Sequence, residues 1–246
     1  MQPHPLRFHK PRRRVIRYVL RQLIRLTFDG LTRLQIIGQE NIPTSGPLLV
    51  VANHFHFADP AAVARVVPWA LEFVGGFQMP NAPASVTWLP KVWGYYAVRR
   101  DAVSRDAMHA AKTVLINQGV LGIFPEGGSW ARVLRPPRPG TAFLAAETGA
   151  PLLPIGIDGM VDIFPRLRRG QRAAVTLRIG RPFGPFCAAG KGQARREQLH
   201  AIGDEIMRRI AALIPPERRG HYSDDPHLRA VAQAAAVYPW DRKTNV

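Results

Sequence analysis

Residues 34–214 read as an α/β domain, a mixed, mostly parallel β-sheet flanked by helices, with a basic amphipathic helix ahead of it. Three observations lead there. Wholly apolar runs stand at 48–52, 120–124 and 152–157, the pattern of strands buried on both faces. Stretches with helical spacing of apolar residues lie between and after them. Strands and helices alternate along the chain, the order of a helix-covered sheet.

Residues 1–13 carry Pro3, Pro5 and Pro11 among basic residues and read as irregular. From 14 to 31 the spacing predicts a helix. Val15, Ile16, Val19, Leu20, Leu23, Ile24 and Phe28 fall near one face, and Arg14, Arg17, Arg21 and Arg25 near the other. Such a helix seeks a membrane surface, with arginine heads on lipid phosphates and the apolar face in the acyl boundary. The alternative is a helix packed on its own domain, its arginines in water.

A strand is expected at 34–38, a turn at 41–47 and a buried strand at 48–52. Pro60 suits the first turn of a helix running to 66. Residues 67–90 are apolar but rich in Gly and Pro, so they receive no regular assignment. A helix over 101–118 turns Val103, Ala107, Met108, Ala111, Val114 and Leu115 inward and stops at Gly119. Strand 120–124, helix 140–148 and strand 152–157 follow. Residues 175–179 alternate, as expected of a half-exposed strand near a sheet edge. The helix over 193–213 carries Leu199, Ile202, Ile206, Ile210 and Leu213 on one stripe and ends at Pro215-Pro216. The chain thus divides into a basic N-terminal segment (1–33), one domain (34–214) and a polar tail (215–246) with an alanine-rich helical piece near 226–237.

Composition narrows the function classes. Among 246 residues, 46% are hydrophobic, enough for a real core. Lys+Arg number 34 against 17 Asp+Glu, and the net charge of +17 attracts nucleic acid, anionic lipid or phosphorylated ligands. The basic residues gather at the N-terminus and in loops, with no helix-turn-helix or RNP pattern, so no specific nucleic acid is expected as a partner. The single cysteine, Cys187, rules out an internal disulfide and a cysteine zinc cluster and reads as a small buried or half-buried residue. No secretory signal and no bilayer-length apolar run is evident. Metal-ligand constellations, a GxxxxGK phosphate loop and a GxSxG elbow are all missing from the pattern.

The chemistry concentrates just after the apolar run 48–52. There Asn53-His54-Phe55-His56-Phe57-Ala58-Asp59-Pro60 sets a histidine five positions before an aspartate. The aspartate can accept a hydrogen bond from one ring nitrogen and fix the tautomer, leaving the other nitrogen as a base. The bland alternative is a histidine capping a turn before a helix. Three further blocks follow in order: Gly94-Tyr95-Tyr96-Ala97-Val98-Arg99-Arg100, then Phe124-Pro125-Glu126-Gly127-Gly128-Ser129, then Pro151-Leu152-Leu153-Pro154-Ile155-Gly156-Ile157.

These four blocks, over roughly residues 35 to 185, resemble the glycerolipid acyltransferases of the PlsC-like, 1-acylglycerol-3-phosphate acyltransferase type. The resemblance implies His54 as general base and Asp59 as its orienting partner, with no covalent acyl-enzyme because the substrate hydroxyl is itself the nucleophile. It implies Arg100 on the acceptor's phosphate, and Glu126, Gly127 and Gly128 shaping the acceptor site. Pro154 and Ile155 would line an acyl channel, and His56 would be a loop or substrate-proximal residue, not a catalytic one. The pattern departs at one place: the family reads Phe-Pro-Glu-Gly-Thr-Arg-Ser, and Ser129 stands where the arginine is expected. Arg132 or Arg135 would then supply the charge, or the acceptor carries no phosphate there. Acyl-CoA or acyl carrier protein is the implied donor and a lysophospholipid or other lipid alcohol the acceptor, with no cofactor or metal. The implied place of work is an anionic membrane surface, the cytoplasmic face of the cell membrane, held peripherally or monotopically.

Overall fold

The structure is a computed structural model that describes residues 13–69, 71–76, 82–98 and 105–236. The chain runs α1 (Arg14–Leu31), β1 (Thr32–Ile37), β2 (Leu48–Ala52), α2 (Asp59–Val66), β3 (Glu72–Gly76), α3 (Leu89–Trp93), β4 (Tyr96–Val98), α4 (Arg105–Ile116), β5 (Val120–Ile123), α5 (Pro139–Thr148), β6 (Leu152–Asp158), α6 (Ile163–Leu167), β7 (Ala173–Ile179), α7 (Gly192–Ala211) and α8 (Pro226–Ala236). The sheet has seven strands in the order β1-β7-β6-β2-β5-β3-β4. Neighbours are parallel except β6 and β7, so the expected mixed, mostly parallel sheet is what forms.

The strand β2 shows why the apolar runs become central strands. It lies between β5 and β6, both parallel to it, and all of its residues are buried. Leu48, Val50 and Ala52 enter the core on the α1–α2–α3 side, while Leu49 and Val51 enter the core on the α4–α5–α7 side. Each such Leu or Val side chain contributes about 1.5–3 kcal/mol on burial, and a polar one on either face would be stranded from water. The alternating strand β7 behaves differently from expectation: it is internal, between β1 and β6, and the sheet edges are β1 and β4. Its alternation reports one wet face, not a place at the edge.

Two further expectations need correction. Helix α1 was expected to divide into an apolar face and an arginine face. Instead Arg17 is buried on the same side as Leu20, Ile24 and Phe28. It makes a bidentate ion pair with Glu72 of β3, 2.8 Å at both nitrogens, and donates to the carbonyls of Trp93 and Gly94. The partner lies on another element, which helical spacing cannot reveal. Val15, Ile16, Val19, Leu23 and Leu26 stay exposed as a second, outward stripe. Cys187, expected to be at least half-buried, is exposed.

The unassigned stretch 67–90 contains β3 and the start of α3. Strand β3 ends in Gly75-Gly76, a weak signal for a strand. It is held by β4 and β5 on either side. Gly122 of β5 makes this possible, because a Cβ there would come within 2.6 Å of the Phe73 ring. Residues 215–236, read from sequence as a tail, hydrogen-bond back to the domain through Leu134 N–H to Arg218 O and His221 N–H to Leu134 O. No helix among the described residues is long and apolar enough to cross a membrane.

Candidate active site

The site forms at the carboxyl end of β2. As the strand ends, the side chain of Asn53 takes over from the ladder. Its Nδ2 donates to Ile157 O at 2.8 Å and its Oδ1 accepts from Ile157 N at 2.7 Å, so the amide pairs with β6 like another peptide. Sequence reasoning passed over Asn53. The available signal was a polar residue closing a wholly apolar strand, since a buried amide needs partners.

The chain then turns, and Asp59 opens α2. Its Oδ2 accepts from the N–H groups of Phe55 and His56, each at 2.7 Å, and from Nδ1 of His54 at 3.0 Å. One carboxylate oxygen therefore shapes the turn and orients the ring, which is why histidine and aspartate stand at this spacing. The carboxylate also sits at a helix N-terminus, where negative charge is favoured. With Nδ1 held, Nε2 of His54 forms no hydrogen bond among the described residues, and the side chain keeps 14% exposure. The face of the ring stacks on Phe124 at 4.3 Å, and Phe124 is parallel to Phe73 beyond it.

Behind the histidine lies Glu126, wholly buried. Its Oε1 accepts the backbone N–H of His54 at 2.8 Å, and its Oε2 pairs with Arg135, 3.2 Å from Nε and 3.3 Å from the backbone N. Burial pushes the Glu126 carboxyl up to about 7, while Arg135 and the two backbone donors pull it down. Arg135 is itself buried, with its guanidinium 3.5 Å from the centre of the Trp130 ring and Nη2 on Gly128 O. Gly127 turns the chain with φ +76, a conformation that a side chain would strain, and its N–H goes to Phe124 O at 3.0 Å.

A base held by a buried carboxylate, on a strand end with its second nitrogen open, can draw a proton from a hydroxyl. Residues 33–158 match the model of the family described as acyltransferase. The chain belongs to the acyltransferase family. The fold agrees with the crystal structure of the 1-acyl-sn-glycerophosphate (LPA) acyltransferase PlsC from Thermotoga maritima, with a TM-score of 0.55 and 24% identity, covering 80% of this chain and 82% of that one. Uncharacterized proteins of Mycobacterium tuberculosis and Mycobacterium bovis are 28% identical over 157 residues, 61% of this chain. The chain spans 44% of the length of those curated relatives.

The remaining expected site residues of this family member are dispersed differently. Arg99 and Arg100 lie outside the described residues. Arg132 is exposed, its carbonyl accepting from Arg218, and its charge is one of those felt by His56. Arg135 lies on the far side of Glu126 and is buried, so it is not presented at the surface of the site. Ser129 is buried too. His56 turns away from the pair towards Phe57, 4.3 Å between rings, and Phe164. Burial, then His54 and Arg132, hold its imidazole below the usual range, against the pull of Asp59. Pro154 and Ile155 are buried within β6, Ile155 in the core on the α1 side.

Proposed function

We propose that this acyltransferase moves a fatty acyl group from a thioester, acyl-CoA or acyl carrier protein, to a lipid hydroxyl at a membrane surface. The acceptor of first choice is 1-acylglycerol 3-phosphate and the product phosphatidate. The Asp59–His54 pair carries the reading. The acceptor hydroxyl gives its proton to Nε2 as its oxygen attacks the thioester carbonyl. Asp59 stabilises the imidazolium through Nδ1. The tetrahedral oxyanion then collapses, the carbon–sulfur bond breaks, and the leaving thiolate takes the proton from Nε2. No enzyme atom is acylated.

The exposed stripe of α1 supports work at a lipid surface. Val15, Val19, Leu23 and Leu26 are 75, 51, 52 and 71% exposed, with Arg14 and Arg25 also exposed on the helix. An apolar stripe beside arginines suits an anionic bilayer surface. Donor and acceptor would meet on the cytoplasmic face of the cell membrane, with the enzyme held peripherally or monotopically. A second reading of the acceptor, a lipid alcohol or glycolipid without phosphate, is favoured by the burial of Arg135 behind Glu126.

The test is acyl transfer from palmitoyl-CoA in mixed micelles, comparing lysophosphatidate with neutral and glycolipid alcohols, for the parent and His54→Ala. Transfer to lysophosphatidate that falls at least about 1000-fold in His54→Ala supports the first reading. Transfer to an unphosphorylated alcohol alone selects the second acceptor. Transfer that survives His54→Ala undiminished defeats the mechanism.

A further inference from the structure

We propose that Arg135 is a positioning residue of this site: it anchors Glu126 from behind and so fixes the backbone of His54, and it does not bind substrate. The inference rests on the acyltransferase reading for its kinetics but has a readout that needs no activity.

The geometry runs in one line. The Arg135 backbone N–H and Nε both meet Oε2 of Glu126, and the other carboxylate oxygen, Oε1, meets the N–H of His54. The residue that holds the base is therefore itself held by Arg135. Two further contacts fix Arg135: its guanidinium lies over the Trp130 ring, and Nη2 closes on the Gly128 carbonyl. Trp130 is held in turn, its Nε1 donating to Ala235 O of α8 at 3.1 Å. A planar guanidinium suits this place because it can stack and hydrogen-bond in plane at once, which an ammonium cannot. The adjacent residue, Leu134, is bound at both N–H and C=O by residues 218 and 221. This 128–135 loop is thus anchored from both ends by the C-terminal segment.

The charges facing Glu126 are Arg135, which favours its ionised form, and Asp59, which opposes it, with the backbone N–H of His54 bonded to it and the phenol of Tyr222 also within electrostatic reach. A buried carboxyl raised to about 7 is held as the acid below that pH. The stability this contributes is complete below the unfolded value, 4.5, and fades as pH rises through about 7. Removing Arg135 takes away a group that lowers this pKa, so the fading must continue to higher pH.

The experiment compares the parent with Arg135→Lys, Arg135→Met and Arg135→Met/Glu126→Gln, using melting temperature from pH 5 to 9 and kcat and KM on the acceptor that the transfer assay selects. Arg135→Met is expected to melt at least about 5 °C lower relative to the parent at pH 9 than at pH 5. The double variant, having no ionisable group at 126, loses that pH-dependent gap. Kinetically, Arg135→Met lowers kcat at least about tenfold with acceptor KM within about twofold, and Arg135→Lys recovers only part of kcat. Parallel melting curves for Arg135→Met and the parent overturn the proposal. A rise in acceptor KM with kcat unchanged also overturns it, because that is the signature of a substrate-binding arginine. A parent that transfers no acyl group fails the functional reading alone, and the melting curves still decide the role of Arg135.

Discussion

One oxygen of Asp59 performs two tasks, and the residue-scale expectation follows from that. Oδ2 closes the 55–56 turn and orients the His54 ring. In Asp59→Asn the amide oxygen can take the place of Oδ2 and keep all three bonds, so the turn and the ring orientation survive while the charge that stabilises the imidazolium is lost. Initial rates of Asp59→Asn are expected to fall about 10²–10⁴-fold, with far-UV circular dichroism unchanged. A loss below about tenfold would deny the pair its role. His54 and Asp59 were legible in the sequence because their relation is local: a strand end, a turn and a helix start span six residues. The partnership of Glu126 with Arg135 was not, because the intervening loop has no period to read. The departure at Ser129 marked where to look, and the structure shows Arg135 buried and Arg132 exposed.

At the scale of elements, α1 shows what periodicity can and cannot see. Its limits, Arg14–Leu31, coincide with those expected, and Leu20, Ile24 and Phe28 face the core. Arg17 does so as well, because Glu72 and the carbonyls of Trp93 and Gly94 meet it there. Removing one partner of such a pair leaves a charge in the core. Arg17→Met is expected to cost about 3–5 kcal/mol in urea unfolding, and Arg17→Met/Glu72→Gln to recover most of that loss. Equal losses in the single and double variants would mean that the pair is not coupled. Strand β3, the other side of this contact, escaped the sequence because Gly75-Gly76 mimics a loop. Its order comes from neighbours: β4, β5 and the space over Gly122 filled by Phe73.

For the whole molecule, charge and exposed apolar surface act together. In the proposed membrane role, the net charge of +17 would draw the chain to anionic lipid over distances set by salt, while the α1 stripe would act only on contact. In flotation with vesicles containing an anionic phospholipid, raising salt from 50 to 500 mM is expected to weaken binding at least about tenfold yet leave a residue of bound protein. Leu23→Ser/Leu26→Ser should abolish that salt-resistant part and leave the melting temperature within about 2 °C, because both side chains already face outward. Undiminished salt-resistant binding by this variant would place the contact elsewhere. The sheet order, by contrast, was beyond the sequence. Apolar runs identify central strands, but nothing in 175–179 tells β7 to pair antiparallel with β6 and parallel with β1.

That single antiparallel pair determines where α1 ends. Because β7 runs against β6, β1 also runs against β2, and its first residue, Thr32, lies at the rim of the sheet where His54 emerges. Helix α1 feeds directly into Thr32, so it finishes at that same rim. For an enzyme lying on a bilayer along the α1 stripe, the acceptor would reach the base by gliding sideways within its own leaflet. The search is then confined to two dimensions, and the greasy tail need never be drawn out into water.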